Sequence, residues 1–256
     1  MLILSDFDGT LTWKGAIDEL FFQFLHIVKK THNSKLIIVT GRSCAWGIFL
    51  LTHFPDIHAV IAEGGPILLK RMGPSDSHLK DSHLQLIERR NLCTPEQEKK
   101  LEDLKSLLFS QFPTLIHAID NTGRITDYAL ELESLQDPSL MQLLKSKLLE
   151  WGASFSQSNI HLNLNFHQIT KLDGVKQWCL WEGISFEDLK TSAIYFGDSL
   201  NDQSMFKEFK NSVGVSNIRP LLSEMQYHPS TILEGEEQSE IKGVLYFLRK
   251  NFPQNS

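Results

Sequence analysis

Three short apolar runs separated by two helical stretches constrain this chain more than any other feature. Leu2–Asp6, Leu36–Val39 and Ala59–Ala62 are too short for buried helices and suit buried strands. Between them, Ala16–Lys30 sets Leu20, Phe21, Phe24, Leu25 and Val28 on one helical stripe, and Ser43–His53 forms a second helix. Strand, helix and strand in one sheet connect by a crossover, so the alternation predicts a parallel sheet with helices on both faces. The pattern lapses near Lys70. It resumes with a helix over Asp173–Trp181, strands over Ala193–Phe196 and Ser212–Val215, and a closing helix over Glu237–Lys250. The expected fold is α/β, a doubly wound parallel sheet from residues 1–69 and 167–256 with an α+β cap domain inserted at 70–166.

The insertion has its own punctuation. Met72–His83 is rich in Gly, Pro, Ser, Asp and His and reads as a loop. Thr94-Pro95-Glu96-Gln97 has the parts of a capping box, and Leu101, Leu104, Leu107 and Leu108 continue the helix it opens. Strand-like runs at Arg124–Glu133 and Ser154–Asn165 flank a helix that opens at Asp137-Pro138 and ends at Trp151-Gly152. His161, Asn163, Asn165 and His167 share one strand face, with Leu162, Leu164 and Phe166 opposite. His161 and Asn163 are candidates for contacts to a bound sugar. His167 reads as part of a wet strand face, Arg124, Asp127 and Glu131 as a solvated one, and Trp46 as core.

Charge and composition exclude several classes. The net charge is −6 with lysine and arginine scattered, so the basic face that nucleic acid requires is missing. No apolar run approaches the roughly 20 residues of a membrane span, and the opening apolar residues are too few for a secretory signal. Cys44, Cys93 and Cys179 are odd in number, widely spaced and form no CxxC pair, which predicts free thiols and a cytoplasmic setting.

The chemistry gathers at the ends of the apolar runs, where open parallel sheets bind ligands. Asp6-Phe7-Asp8-Gly9-Thr10 ends the first. One of its carboxylates can serve as nucleophile and magnesium ligand, the other as proton donor, and Gly9 permits a sharp turn directly after. Val39-Thr40-Gly41-Arg42 ends the second, offering a hydroxyl and a glycine amide to a phosphate oxygen. Lys171 follows the insertion and can neutralise phosphoryl charge. Gly197-Asp198-Ser199-Leu200-Asn201-Asp202 ends a late strand with the oxygen ligands that Mg²⁺ takes. Each alone is equally a strand-end turn, a helix cap or a surface lysine.

Together, in this order and spacing, DxDGT, TGR, the late lysine and GDSxND resemble the four motifs of the haloacid dehalogenase superfamily along essentially the whole chain. The insertion between the second and third motifs resembles the subgroup that includes sucrose, trehalose and mannosyl-phosphoglycerate phosphatases. Ala62-Glu63-Gly64-Gly65-Pro66 is similar to that subgroup's third strand-end turn, with Gly64 and Pro66 in place of its asparagine and alanine. The resemblance implies a magnesium-dependent phosphatase acting on a small phosphorylated molecule, a sugar phosphate or similar metabolite, through a phospho-aspartate. In it Asp6 is the nucleophile and Asp8 the general acid and base, while Thr40 and Lys171 clamp the phosphate. Asp6, Asp8 through its main-chain carbonyl, Asp198 and Asp202 belong to the Mg²⁺ site, with Asn201 and Asp202 also in supporting positions. Gly9, Thr10, Gly41, Arg42 and Asn201 are assigned to phosphate or substrate, with His161 and Asn163 from the cap. A monomer or weak homodimer is expected.

Other classes fit less well. Phosphomutases of the same superfamily carry their caps after the first motif, but here one helix fills the segment from Asp8 to Thr40. A signalling receiver needs about half this length and has its acceptor on a central strand behind an acidic pair. A silent sugar-phosphate-binding protein has no reason to keep every motif residue.

Overall fold

The central strands of the large sheet are apolar on both sides, so they fold between two helical layers. The computed structural model describes residues 2–31, 34–72, 86–157 and 161–252. In chain order its regular elements are β1 (Leu2–Ser5), α1 (Glu19–Lys30), β2 (Lys35–Val39), α2 (Cys44–His53), β3 (Ile57–Ala62), β4 (Ile67–Arg71) and β5 (Ile87–Asn91). Then come α3 (Pro95–Gln111), β6 (Asp127–Glu131), α4 (Pro138–Glu150), β7 (Ser154–Gln157), β8 (His161–Asn165), α5 (Lys171–Glu182) and α6 (Phe186–Ser192). The chain closes with β9 (Ile194–Gly197), α7 (Gln203–Glu208), β10 (Asn211–Gly214), β11 (Thr231–Ile232) and α8 (Glu240–Asn251).

The sheet order is β11-β10-β9-β1-β2-β3-β4-β5, parallel from β11 to β3. Alternate residues serve opposite cores. Ile3, Leu36, Ile38 and Val60 pack with α1, α2 and α8, whereas Leu4, Ile37, Ile61 and Tyr195 pack with α5, α6 and α7. Burial of each such Leu, Ile or Phe side chain contributes about 1.5–3 kcal/mol. The winding reverses at β1, which lies between β9 and β2 and so holds its C-terminal end at the switch point.

The large sheet also reaches past residue 70. β4 and β5 extend it antiparallel beyond β3, so the expected boundary at 70 falls inside β4. β4 continues both cores through Leu68 and Leu69, whereas β5, Ile-Glu-Arg-Arg-Asn, is a charged edge strand with no apolar alternation to announce it. Most of the expected loop at Met72–His83 lies outside the described residues.

The inserted unit has a second sheet, order β6-β8-β7, and a separate core of Tyr128, Leu130, Leu162 and Leu164 against α3 and α4. Thr94 and Gln97 close the expected capping box, and Asp137 caps α4. The expected single run Ser154–Asn165 is instead two antiparallel strands, with 158–160 outside the described residues. Opposite its apolar face the sheet is polar, with Ser154 beside Asn165 beside Asp127, and Ser156 beside Asn163.

Candidate active site

Asp6 leaves β1 with its amide donating to Phe196 O at 2.9 Å, which ties the strand end to β9. The chain then turns sharply. Gly9 has φ +75°, and a Cβ there would lie 2.2 Å from Asp198 Oδ2, so only glycine brings the two loops this close. Thr10 Oγ1 donates to Asp198 Oδ1 at 3.3 Å, which makes Thr10 a contact of Asp198 in this arrangement. Asn217, in the helical turn Ser216–Glu224 that follows β10, donates to Asp198 Oδ2 at 2.8 Å and to Gly9 O at 3.0 Å.

Lys171 is the first residue of α5, which Thr170 caps with a full capping box to Asp173. A Cβ on Gly65 would lie 2.3 Å from Thr170 O, so the turn after β3 touches the main chain at the start of this helix. The contact delivers Lys171, 2 % exposed, to the centre of the site. Its ammonium donates to Asp6 Oδ1 at 2.6 Å and to Asp202 Oδ1 at 2.7 Å. Burial alone would lower the lysine, but Asp202 and Asp6 outweigh it and hold it above its ordinary range. Asp202 is saturated: Tyr195 OH also donates to Oδ1, while Oδ2 accepts from the amides of Asp198 and Ser199 and from Ser199 Oγ.

Asp6, Asp198 and Asp202 present carboxylate oxygens within 4.8 Å of one another, and all three residues are buried. Burial pushes the Asp6 carboxyl up to about 7 against the pull of Lys171. It raises Asp198 well above the usual carboxylate range, with Asp6 and Asp202 adding to the effect. One ammonium among three carboxylates leaves excess negative charge on hard oxygen donors, the setting that a divalent cation such as Mg²⁺ fits.

Asp8 points elsewhere. Arg42 grips it with two hydrogen bonds, Nε to Oδ2 at 2.8 Å and Nη2 to Oδ1 at 2.6 Å, and the guanidinium lies 4.8 Å from the ring centre of half-buried Trp46. Thr40 is fully buried, and its Oγ1 accepts from the Arg42 amide at 3.0 Å. Asp6, Asp8, Arg42, Asp198, His161 and Asn163 share a cavity of about 220 Å³, which Gly9, Gly41 and Asn201 also line. His161 Nε2 stands 3.2 Å from Glu131 Oε1.

Three further residues fix the geometry. Arg124 was expected on a solvated face with Asp127, but both are buried: Arg124 grips Asp120 and Asp127 and donates to Gly41 O at 3.1 Å. The spacing Asp120, Arg124, Asp127 is the sequence feature that could have pointed to this cluster. Glu63, at φ +54°, accepts from the amides of Cys44, Ile125 and Thr126 and from Thr126 Oγ1, joining the second and third strand-end turns to the inserted unit. Asn217 has no comparable local pattern.

Comparison with known proteins bears on the fold and the family. No curated protein sequence matches the chain. A sucrose-phosphatase from Synechocystis sp. PCC6803, solved with sucrose and phosphate, is 16% identical with TM-score 0.64, covering 98% of this chain and 97% of that one. The C-terminal domain of C. albicans trehalose-6-phosphate phosphatase is 18% identical with TM-score 0.65, covering 97% and 91%. A haloacid dehalogenase-like hydrolase from B. subtilis is 13% identical with TM-score 0.66, covering 98% and 99%. At such identities the likeness establishes the fold. The family itself rests on sequence: the model of the haloacid dehalogenase-like hydrolases matches residues 76–247, most of the chain, and the chain belongs to that family.

Proposed function

We propose that the protein hydrolyses a phosphate monoester of a sugar or similar small metabolite through a covalent intermediate on Asp6. The observation that carries this reading is the buried Asp6–Lys171–Asp202 relay beside Asp198, opening into the cavity that also holds Asp8. Asp6 attacks phosphorus, the ester P–O bond breaks, and Asp8 gives the leaving oxygen its proton. Water then attacks phosphorus, gives its proton to Asp8, and the bond to Asp6 breaks. Arg42 fixes where the Asp8 carboxyl points, and Lys171 orients Asp6 and faces the phosphoryl charge. Asp6, Asp198 and the main-chain carbonyl of Asp8 would hold Mg²⁺, which supplies charge neutralisation at the phosphoryl oxygens. Asp202, with both oxygens engaged, has the supporting task of positioning Lys171 and the Asp198 loop.

The residues from β6 to β8, with α3 and α4, form a cap that controls water at the site. A phospho-aspartate must be shielded while it forms and then meet a single water, which a closing cap provides. The sucrose and trehalose-6-phosphate phosphatases of the same fold support a phosphorylated sugar as the substrate class. Free thiols at Cys44, Cys93 and Cys179 accord with a cytoplasmic setting, and among the described residues no helix is long and apolar enough to cross a membrane.

The test is a screen of phosphorylated sugars with Mg²⁺ and with EDTA, on the wild type and on Asp6→Asn. Turnover is expected only with Mg²⁺, and the variant should lose at least about a hundredfold, since it lacks the nucleophile. A variant that keeps a tenth of wild-type activity rules out the covalent role of Asp6.

A further inference from the structure

The large sheet ends at β5, which β4 holds on one side only. The Met72 amide donates to Leu86 O at 2.9 Å and the Leu92 amide to Pro66 O at 3.0 Å. With the β4–β5 register, this turns the main-chain groups of residues 86, 88, 90 and 92 toward β4. Alternation then aims the N–H and C=O groups of Ile87, Arg89 and Asn91 out of the sheet. Such a row of donors and acceptors is a template for another strand, and charged side chains are the usual obstacle to it.

Here the charges select a register. Leu86, Glu88, Arg90 and Leu92 share the sheet face that carries α5, where the Arg90 guanidinium lies 4.3 Å from the Trp181 ring centre. The order Leu-x-Glu-x-Arg-x-Leu is its own complement when read in the antiparallel direction. Set Arg89 of two copies opposite each other, and each Glu88 faces the other copy's Arg90 while each Leu86 faces the other copy's Leu92. These fall at the non-hydrogen-bonded positions, where opposite Cα atoms approach to about 4.5 Å and side chains meet most closely. The outward groups of Ile87, Arg89 and Asn91 then make about six hydrogen bonds between the copies. Sliding one strand by two residues keeps those bonds possible but sets Glu88 against Glu88 or Arg90 against Arg90, and directly opposed like charges destabilise. The side chains concerned are available: those of Arg90 and Glu88 are 51% and 40% exposed and only 3.9 Å apart within one chain, and Leu86 is exposed. On the other face Arg89 meets its own copy at the wider spacing of about 5.5 Å, and its guanidinium approaches the Cys44 thiol.

We propose that β5 pairs antiparallel with β5 of a second copy about a two-fold axis at Arg89, so that one continuous sheet runs through the dimer. The contact is isologous and closes on itself, so it stops at two copies. Main-chain hydrogen bonds supply the attraction, and the Glu88–Arg90 pairs fix the register. A strand edge is a small interface, which makes the dimer a weak one.

Sedimentation velocity of the full chain between about 1 and 300 µM should show monomer passing to dimer, with a Kd on the order of 10 µM. Glu88→Arg and Arg90→Glu should each weaken the dimer at least about tenfold, because each places two like-charge pairs at the closest positions. Both changes in one chain exchange the charges and restore every pair, so the double variant should return to within about threefold of the wild type. A monomer over the whole range overturns the inference. So does a dimer that either single reversal leaves intact, or one that the double exchange fails to recover. Circular dichroism checks that each variant folds. Hydrogen exchange on the wild type needs no substitution: the Arg89 and Asn91 amides should gain protection as concentration crosses the Kd, and exchange that ignores concentration overturns the pairing.

Discussion

Lys171 joins Asp6 to Asp202 from a position with almost no solvent contact. Removing one member of such a group strands the others, because a buried charge without its partner keeps its desolvation cost. Lys171→Met should therefore lose about 3–5 kcal/mol in urea unfolding without metal, although its volume is well matched. A loss below about 1 kcal/mol would mean that the carboxylates find other partners. Arg42 and Asp8 make an equally short pair, but their side chains are 18% and 36% exposed. Arg42→Ala should thus cost less than about 1 kcal/mol in the same measurement while lowering turnover, since only the aim of Asp8 is lost. The residues whose placement is legible in the sequence, Asp6, Asp8, Thr40, Lys171 and Asp198, are those that stand at or just beyond an element end. Glu63 and Asn217 were not legible, because their partners lie far along the chain: Thr126 for Glu63, Gly9 and Asp198 for Asn217. Arg124 had its partners nearby and was still read as solvated, because charged side chains at such spacing usually are.

At the scale of elements, parallel strands announce themselves by continuous apolar runs, and β1, β2, β3 and β9 were readable for that reason. β5 and β11 are edge strands that need little apolar sequence, and β7 and β8 read as one run because no glycine or proline marks a turn between them. The placement of α5 depends on Gly65, at φ +144° against Thr170 O. Gly65→Ala should destabilise by about 1–3 kcal/mol and lower kcat, because the helix start that carries Lys171 must move. Thermal unfolding beside kinetics checks this, and unchanged kcat would detach the turn from the lysine. His167, between β8 and α5, makes one contribution to the pH dependence of stability. Burial lowers His167 from 6.5 to about 4, so the unfolded chain binds its proton at higher pH than the folded protein does. Stability from this residue is complete above about pH 6.5 and is lost as pH falls towards 4, at most about 3 kcal/mol. His167→Gln should lose less stability than the wild type over that interval in parallel urea titrations, and identical slopes would contradict the shift.

The molecule has two units, the large sheet with a core on each face and the inserted unit with its own core, and Glu63 is where one junction is fixed. Its carboxylate accepts from Ile125 and Thr126, just before β6, and from Cys44 at the start of α2. Arg124 adds the bond to Gly41 O, so the entry to β6 is held against the second strand-end loop. The inserted core packs on its own leucines, with α3 and α4 capped by Thr94 and Asp137. Loosening the joint should therefore change how the cap sits without unfolding it. Glu63→Gln keeps the shape but turns an amide group toward main-chain donors, leaving at least one of them unpaired at about 1–3 kcal/mol. In hydrogen exchange the amides of Ile125 and Thr126 should lose protection, while Leu130 and Leu162 in the cap sheet keep theirs. Turnover of a sugar phosphate should fall through KM, because the closed arrangement that binds the ring becomes less populated. Loss of protection throughout the cap sheet would instead make Glu63 part of the cap's own stability, and the two units would then unfold as one.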